Sequence, residues 1–351
     1  MSFGSDIGLS GVYAGIDICG NGIKIGTVDD EGALLEADYI PLTEEQRTPE
    51  YIADRVAEGI EERSQAFSEG KDLDGVGIGF PGFLDKSGCV VLSPNLPAFN
   101  GVNVQKLFQE RFPRLTITAA KVSNANAMGE YRFGIGRRLE AENLLVYTLG
   151  AGVDAGIIIG GKLFVGDRGF AGDLGHVKVF ESSVYLKDQE IQCMCSRSGC
   201  VEQICGETAF ATMFWQQEVD DPRDLMQKCG LDPLKTSSWG YKALASAMTP
   251  ETMSQLTRDG NVTALHLWHR YGFYLGKAIG AALHTLAIDS IVIGGRIARF
   301  FNLFETGIRE GLVHDGFPPA RLDAIRIYKG EIDSRHAEIF GAAALAAASQ
   351  P

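Results

Sequence analysis

Hydrophobic and polar positions follow the same order in two stretches of the chain: one runs from Val12 through a turn at 29–32 into a further apolar stretch, and the other is 144–165. In each, an apolar run rich in β-branched residues meets a Gly-x-Gly turn, a second apolar run, a tight turn and a third apolar run. This order predicts three strands joined by hairpin turns. The matched turn positions are Gly20 with Gly150 and Gly22 with Gly152. A spacing of roughly 130 residues is too long for a solenoid repeat, so we expect two related lobes that face each other across a cleft.

Apolar positions elsewhere indicate alternating helices and strands. Ile52, Val56 and Ile60 recur every four residues, which is the spacing of an amphipathic helix. The run 75–80 predicts a buried strand that ends at Pro81. The other predicted elements are a mostly helical region at 207–287 with one long helix after Asn261, a buried strand at 291–293 and a C-terminal helix at 337–348.

Length and composition describe an ordinary globular protein of about two domains. The chain has 351 residues, of which 45% are hydrophobic and 22% are charged. Its net charge of −13 disfavours nucleic acid as a partner, because phosphate backbones attract clustered Lys and Arg. No apolar run approaches the roughly 20 residues that cross a membrane, and the first six residues do not resemble a secretory signal. We therefore expect a cytoplasmic protein that binds neither nucleic acid nor membrane.

One histidine and three cysteines predict a metal site. Sixteen residues separate His176 from Cys193, and Cys195 and Cys200 follow, with Gly199 allowing the chain to turn back. Three thiolates and one imidazole form a closed tetrahedral zinc site, which is typical of a structural metal. The alternative is a set of buried or disulfide-linked cysteines, although disulfides fit poorly with seven cysteines and no secretory signal. The remaining cysteines, Cys19, Cys89, Cys205 and Cys229, are expected to be buried thiols.

Glycine turns at strand ends expose backbone N–H groups, which suit a phosphate group. Three such turns occur: Gly20-Asn21-Gly22, Gly150-Ala151-Gly152 and Gly294-Gly295. Asp17 precedes the first turn and Lys24 follows it, and a carboxylate beside a phosphate-binding turn usually means magnesium. The alternative is that the turns only form hairpins.

These motifs resemble the repressor, open-reading-frame and kinase (ROK) family of sugar kinases, within the actin-like ATPase superfamily. The resemblance extends from Gly11 to the C-terminal helix and is most specific in 171–176 and in the three-cysteine segment that ends at Glu202. The segments 79–82 and 93–96 are similar to the family's sugar-side loop. The first glycine turn is most similar to that of polyphosphate-dependent glucokinases, which generally lack the zinc segment.

The resemblance implies an α/β fold of the actin-like ATPase (ribonuclease H-like) type, with mixed five-stranded sheets in two lobes around a central cleft. The smaller lobe would contain residues 1–122 and the C-terminal helix 337–351, and the larger lobe residues 123–336. The larger lobe of the family usually self-associates, so we expect a homodimer. Four aromatic residues could lie either at its interface or in the core: Trp215, Trp268, Phe273 and Tyr274.

The resemblance also implies the substrates: ATP with magnesium, and a hexose or N-acetylhexosamine that receives the γ-phosphate. The sugar-binding residues would be Asn95, Asn124, Asp173, His176 and Glu202, with His176 also binding zinc through its other nitrogen. The nucleotide-binding residues would be Asp17, Gly20, Asn21, Gly22, Lys24, Gly150, Ala151 and Gly152, with Gly294 and Gly295 beside the adenosine.

Asn124 stands where the family has its catalytic Asp. An amide cannot accept the proton of a sugar hydroxyl, and general-base catalysis is typically worth about 10² to 10⁴ in rate. Three explanations remain open: an active kinase with an introduced Asn, a natural variant that retains only sugar binding or a regulatory role, or an enzyme that uses another carboxylate such as Glu130. The other departures from the family pattern are Ala151 for Thr, Asp154 beside a phosphate turn, Arg296 for Gly and Asp173 for Glu.

Two other functions fit the sequence less well. A zinc-dependent dehydrogenase needs an open metal position and a Gly-x-Gly-x-x-Gly turn that leads into a helix, whereas the first two turns here lead into strands. A transcription factor needs a helix-turn-helix domain, and the segment before Val12 is too short for one. We therefore expect an ATP-dependent, glucokinase-like hexose kinase, with the catalytically impaired sugar-binding protein as the alternative.

Overall fold

The structure is a computed structural model that describes residues 11–66, 73–180, 193–215, 222–232, 234, 241–314, 316–317 and 319–349. Residues 181–192 of the spacer before Cys193 and the last two residues of the expected C-terminal helix lie outside this part. The strands are β1 (Val12–Cys19), β2 (Gly22–Asp29), β3 (Leu34–Pro41), β4 (Gly75–Phe80), β5 (Phe83–Leu84), β6 (Val90–Leu92), β7 (Thr116–Lys121), β8 (Leu144–Leu149), β9 (Val153–Ile159), β10 (Lys162–Leu163), β11 (Ser290–Gly294) and β12 (Arg326–Lys329).

The helices include the predicted amphipathic helix, the long helix after Asn261 and the C-terminal helix. They are α1 (Pro49–Ala66), α2 (Val104–Arg111), α3 (Val122–Phe133), α4 (Ile135–Leu139), α5 (Val201–Cys205), α6 (Ala209–Trp215), α7 (Pro222–Lys228), α8 (Tyr241–Ala247), α9 (Pro250–Arg258), α10 (Val262–Leu286), α11 (Phe301–His314), α12 (Pro319–Leu322) and α13 (Ala337–Ala348). The Asn261 side chain caps α10 by accepting a hydrogen bond from the Ala264 amide at 2.8 Å. In the described part of the chain, no helix combines the length and apolar character that a membrane span needs.

The first sheet has the order β3-β2-β1-β4-β7. Strand β1 pairs antiparallel with β2 and parallel with β4, and β4 pairs parallel with β7. Residues Val12 to Ile18 of β1 are all buried. A central strand covered on both faces has this continuous apolar sequence, whereas the edge strand β3 is mostly exposed.

The second sheet has the order β10-β9-β8-β11-β12, so both sheets place a three-strand hairpin unit beside two further strands. The predicted mixed five-stranded sheets are therefore confirmed. The two glycine turns differ in length, because β1 and β2 are joined by Gly20-Asn21 alone and β8 and β9 by Gly150-Ala151-Gly152. Gly22 begins β2, whereas Gly152 precedes β9, so the predicted match of these two glycines is wrong by one position.

The chain divides into two compact units. Unit 1 contains Met1–Val146, Gly156–Gly172 and Glu331–Pro351, and unit 2 contains Tyr147–Ala155 and Asp173–Gly330. The predicted lobe boundary at 122/123 stays a prediction.

Helix α13 in unit 1 packs directly onto the backbone of the first sheet. A Cβ at Gly15 of β1 would collide with the Ile339 carbonyl, and one at Gly77 of β4 with the Ala342 carbonyl. The absence of side chains at these two glycines lets the helix and the sheet approach closely, as in other tightly packed interiors. This packing holds the first turn of α13 at a fixed place beside β2.

Helices α10 and α11 in unit 2 approach in the same way. Gly272 of α10 lies against the Phe304 carbonyl, and Gly311 of α11 lies against the Phe273 carbonyl. Beside them, the Phe210 and Trp268 rings lie 4.5 Å apart between centroids. This aromatic core completes the interior of unit 2 between its helices.

Two aromatic candidates for the dimer interface belong to the core. Trp268 is fully buried and Tyr274 is 7% exposed, so neither offers surface to a partner. Phe273 is half-buried, and the side chain of Trp215 lies outside the described residues. The homodimer itself stays a prediction.

Candidate functional site

The carboxyl ends of the parallel strands in unit 1 bring several of the predicted residues together. Asp17 of β1 is in register with Gly79 of β4, which is in register with Ala120 of β7. A Cβ at Gly79 would lie 3.7 Å from Asp17 Oδ1 and 3.7 Å from a methyl group of Val122, the first residue of α3. The Asp17 carboxylate therefore lies near the start of the helix that carries Asn124, at the strand end where α/β proteins usually bind ligands.

Asp17 belongs to a charged cluster with Lys24 and Glu338. Lys24 Nζ lies 3.8 Å from Asp17 Oδ2 and 2.9 Å from Glu338 Oε2. Burial raises the pKa of Asp17 to about 7, with a further contribution from the negative charge of Glu338 and an opposing one from Lys24. Burial is the largest single influence on the pKa of Lys24 and would lower it, but the charge of Glu338, its hydrogen bond to Lys24 and the charge of Asp17 together raise the pKa above its ordinary value. Lys24 is therefore a fixed cation beside a carboxylate that titrates near neutral pH.

The first glycine turn lies against one of the predicted sugar-binding residues. A Cβ at Gly20 would meet Asn95 Cβ at 3.5 Å, an ordinary contact distance. The Asn21 carbonyl accepts hydrogen bonds from the Leu42 amide and, at 2.9 Å, from the Tyr39 hydroxyl. The turn is thus anchored by its carbonyl groups at the carboxyl end of β1, next to Asn95.

Asn124 lies in the first turn of α3 and is 2% exposed. Its Oδ1 accepts no hydrogen bond from any residue that the structure describes. A buried polar atom without a partner costs roughly 1–3 kcal/mol, so such atoms often mark the place where a ligand supplies the missing donor. Asn124, which the sequence resemblance above predicts at the base position, is therefore buried and has an unused acceptor.

Glu130, the alternative base named from the sequence, has a structural role. It is buried, and its carboxylate accepts hydrogen bonds from the backbone amides of Ile135, Glu331 and Ile332 at 3.2–3.3 Å. Burial raises its pKa, and these three hydrogen bonds oppose the rise. The carboxylate oxygens therefore hold the first amide of α4 and two amides of the segment before α13, which gives Glu130 a structural role. Its use as the catalytic base stays an untested alternative.

The four predicted metal ligands meet in unit 2. Their donor atoms, from His176, Cys193, Cys195 and Cys200, all lie within 4.8 Å of one another. His176 Nδ1 is 3.3 Å from Cys193 Sγ, and Cys195 Sγ is 3.5 Å from Cys200 Sγ. Donor atoms of a tetrahedral site with Zn–S bonds of about 2.3 Å lie roughly 3.5–4 Å apart. The donor set and its spacing therefore fit a zinc ion.

Local backbone geometry explains how the cysteines converge. The Cys193 amide donates to the Arg197 carbonyl and the Ser196 amide donates to the Cys193 carbonyl, which closes a tight loop. Ser196 has a φ of 63° and Gly199 a φ of 87°, so both lie in the left-handed region that such loops use. Ser196 adopts this conformation although it has a side chain, and Gly199 turns Cys200 back towards the cluster.

Asp173 and Glu202 lie beside the metal-ligand cluster. His176 Nε2 is 3.8 Å from Asp173 Oδ1, so the imidazole has Cys193 on one side and a carboxylate on the other. Glu202 is in the first turn of α5, two residues after Cys200. The structure thus brings together the three predicted sugar-binding residues of unit 2.

The second glycine turn also lies in unit 2, and an acidic side chain lies against it. A Cβ at Gly152 would collide with the Glu202 carboxylate, and the Val153 amide donates to Glu202 Oε2 at 3.3 Å. The Gly150 amide donates to the Gly152 carbonyl within the turn. The turn therefore has fewer free amides for a phosphate than its sequence suggests, and a carboxylate lies against it.

The third glycine pair is close to the second turn. Gly295 packs against the Leu149 backbone with a φ of 81°, and Arg296 next to it is ion-paired with Glu207. The Glu207 amide donates to the Ala151 carbonyl at 3.4 Å. Gly294, Gly295 and Ala151 therefore share one region of unit 2, and Arg296 supplies a positive charge there.

Three cysteines outside the metal cluster differ from expectation. Cys205 is buried, as predicted, but Cys19, Cys89 and Cys229 are partly exposed. Cys19 ends β1, Cys89 directly precedes β6 and Cys229 directly follows α7, so all three lie at the ends of elements. The prediction of four buried thiols is wrong for these three residues.

Sequence reasoning missed Glu338 and Glu207. Glu338 is separated from Lys24 by 314 positions and becomes its partner only through the packing of α13. Glu207 follows α5 in a segment without a motif. The sequence feature that could have pointed to Glu338 is its position as the single acidic residue in helix 337–348, whose other residues are apolar or small.

Comparison with known proteins gives the same family across nearly the whole chain. The ROK family model matches residues 13–348. A glucokinase of Thermotoga maritima is 28% identical over 300 residues, covering 85% of this chain and 86% of the relative. A xylose repressor of Caldicellulosiruptor bescii is 26% identical over 305 residues, covering 86% of this chain and 69% of the relative.

Solved structures give the same fold. A ROK family glucokinase from Streptomyces griseus in complex with glucose and AMPPNP matches with a TM-score of 0.70 at 24% identity, covering 97% of this chain and all of the other. The mixed sheets and this similarity assign the actin-like ATPase fold. The chain belongs to the ROK family.

Proposed function

We propose that the chain is an ATP-dependent hexose kinase whose rate is limited by Asn124. The observation that carries the proposal is the buried, unpartnered Oδ1 of Asn124 at the start of α3, near the Asp17 carboxylate. A sugar hydroxyl can donate the missing hydrogen bond, as it would to an Asp at this position. The relatives named glucokinase support a sugar kinase.

In the proposed reaction, the oxygen of the sugar's primary hydroxyl forms a bond to the γ-phosphorus of ATP. The bond from that phosphorus to the bridging oxygen breaks, and ADP leaves. The hydroxyl proton passes to water or phosphate, because an amide at Asn124 cannot accept it. Phosphoryl transfer depends mainly on positioning and charge stabilisation, so slow turnover is expected without the base.

Among the residues of unit 1, we assign the phosphate end to Asp17, Lys24 and the Gly20–Gly22 turn. Asp17 would hold a magnesium-bound water, and Lys24 would offset phosphate charge. Asn95, which lies against Gly20, and Asn124 would bind sugar hydroxyls. Asp173 and Glu202 in unit 2 are assigned to sugar hydroxyls as well.

For the metal, we propose a structural zinc ion held by His176, Cys193, Cys195 and Cys200. The ion would supply four bonds that fix the loop, with no open position for substrate. His176 would thereby present its Nε2, on the side of Asp173, to a sugar hydroxyl.

A sugar-binding regulatory protein is the second candidate, and specific observations favour it. Glu202 lies against the second phosphate turn, and Asn124 removes the base. Relatives named xylose repressor cover most of this chain. Such a protein would bind sugar but would have a degraded phosphate site.

The discriminating experiment compares the chain with its Asn124→Asp variant over a panel of hexoses and N-acetylhexosamines. A coupled assay measures phosphorylation with magnesium-ATP, and calorimetry measures sugar binding. A kinase limited by its base predicts sugar binding in both forms and a rate gain of about 10² to 10⁴ in the variant.

Asn126→Asp is the matched control, because it adds a carboxylate two residues further along the same helix, and it should give no comparable gain. Sugar binding without phosphorylation in either form would favour the regulatory protein. No sugar binding in either form would contradict both candidates.

A further inference from the structure

Helix α5 connects the metal-ligand cluster to the second glycine turn. It begins directly after the ligand Cys200 and has only five residues, Val201–Cys205. Near its start, Glu202 accepts a hydrogen bond from the Val153 amide at 3.3 Å. After its end, the Glu207 amide donates to the Ala151 carbonyl at 3.4 Å, and Gly206 packs against the same carbonyl. Both ends of the helix therefore hold the backbone around the turn.

A second segment of the cluster holds the same residue from the other side. Gly175, next to the ligand His176, packs against the Val153 carbonyl so closely that a Cβ there would collide with it. The Val153 amide is held by Glu202 and its carbonyl is covered by Gly175. Val153 is the first residue of β9. The two segments that carry the metal ligands therefore hold its amide on one side and cover its carbonyl on the other.

The carboxylate of Glu202 lies between the cluster and the turn. Its Oε1 is 3.8 Å from Cys193 Sγ, and the whole carboxylate occupies the space beside Gly152 that a side chain would fill. A displacement of Cys193 or Cys200 is therefore expected to move the Glu202 carboxylate, which holds the Val153 amide at the end of the turn. A hydrogen bond from a backbone amide to a charged acceptor is stronger than a neutral one.

We propose that Glu202 is a positioning residue through which the metal-ligand cluster sets the conformation of the Gly150–Gly152 turn. With the metal bound, the cluster holds α5 and Gly175 in place, and the turn keeps one shape. Without it, the turn samples other shapes and its amides exchange faster with water. The inference rests on the proposed metal site, and it assigns Glu202 a role besides contact with a sugar hydroxyl.

The test is amide hydrogen exchange on the full chain, without sugar or nucleotide. Peptides that cover the Gly150–Gly152 turn are followed in the purified protein, after chelation, and after zinc is added back. We expect chelation to raise the exchange rate of amides at 151–154 roughly tenfold, and zinc to restore it. Peptides over the Gly20–Gly22 turn in unit 1 serve as the internal reference and should not change.

Variants separate Glu202 from a general loss of structure. Glu202→Ala should raise exchange in the turn by a similar factor with zinc still bound, and chelation should add little more. Glu202→Gln keeps an oxygen acceptor for the Val153 amide, so it should restore most of the protection. Glu251→Ala, on the surface of the same unit, should behave like the unchanged protein.

Three outcomes would overturn the inference: unchanged exchange in the turn after chelation, unchanged exchange in Glu202→Ala, or an equal rise throughout α10. The readout needs neither turnover nor ligand. A failed sugar-kinase assay would therefore leave the exchange result intact. If the purified protein contained no metal, the zinc assignment would be contradicted, and exchange in Glu202→Ala would still test whether Glu202 positions the turn.

Discussion

Two glycine turns with the same sequence pattern have different surroundings in this chain. The Gly20–Gly22 turn lies against the neutral side chain of Asn95 and beside Lys24, which is paired with the carboxylates of Asp17 and Glu338. The Gly150–Gly152 turn lies against the carboxylate of Glu202, with its amide end tied to the metal-ligand cluster. A glycine turn therefore predicts a backbone shape, but neighbouring charges decide whether a phosphate is attracted to it.

The two turns are also held in place by different groups. The first turn depends on a charged cluster whose members come from β1, β2 and α13. The second depends on a short helix attached to a metal ligand. Perturbing the metal should therefore disturb the second turn and spare the first, and perturbing Asp17 should do the reverse.

The largest expected effect is loss of metal through Cys195→Ser. The zinc content should fall from close to one per chain to near zero, because a hydroxyl is a poor replacement for a thiolate ligand. Metal binding contributes folding free energy, so the free energy of unfolding of unit 2 should fall by at least about 4 kcal/mol. Metal analysis and urea unfolding measure the two quantities.

Cys229→Ser is the matched control, since Cys229 lies outside the cluster in the same unit. It should keep its zinc and most of its stability. Full zinc content in Cys195→Ser would contradict the assignment of the metal ligands.

The second effect concerns Asp17 and pH. Burial raises its pKa to about 7, so between about pH 4 and pH 7 the folded protein keeps a proton that the unfolded chain has released. The free energy of unfolding therefore decreases as pH rises through this window. Asp17→Asn is neutral throughout and should gain on the order of 2–4 kcal/mol over the unchanged protein at pH 8, and little at pH 4.

Urea unfolding from pH 4 to pH 8 measures this dependence. Asp54→Asn, which changes a carboxylate with 63% of its side chain exposed, should leave the pH dependence nearly unaltered. Parallel curves for Asp17→Asn and the unchanged protein would show that Asp17 titrates normally and that the first turn lacks the charged support described here.

The smallest effect compares the two turns directly. Gly152→Ala places a methyl group against the Glu202 carboxylate and should lower the free energy of unfolding by about 1–3 kcal/mol. Gly20→Ala meets only an ordinary contact with Asn95, so we expect a loss below about 0.5 kcal/mol. Urea unfolding of the two variants side by side measures the difference, and equal losses would remove the contrast between the turns.

Much of the fold could be predicted from the local spacing of apolar residues and glycines. The four-residue spacing of Ile52, Val56 and Ile60 predicted α1, and all three side chains are buried. The alternation of apolar runs with glycine turns predicted both three-strand units. These predictions succeeded because strand and helix periods are properties of consecutive residues.

The candidate site was predicted less completely. The spacing of three cysteines identified the metal-ligand cluster because loop closure by Gly199 is local. The spacing could not reveal that Glu130 holds three backbone amides, since two of its partners are about 200 residues away. A carboxylate looks the same in sequence whether it accepts structural hydrogen bonds or a substrate proton.

The sequence by itself determined the strands, the helices and the cluster of one histidine and three cysteines, and it places an Asn at position 124. Only the tertiary structure decided that Glu338 pairs with Lys24 and that Glu202 lies on Gly152. The physical reason is that periodicity and turn chemistry act between near neighbours, whereas the charge around a turn depends on which distant side chains packing brings within a few ångströms. Close packing at Gly15 and Gly77 places α13 and its Glu338 near the first turn, and helix α5 places Glu202 on the second. Two similar turns therefore have different electrostatic surroundings.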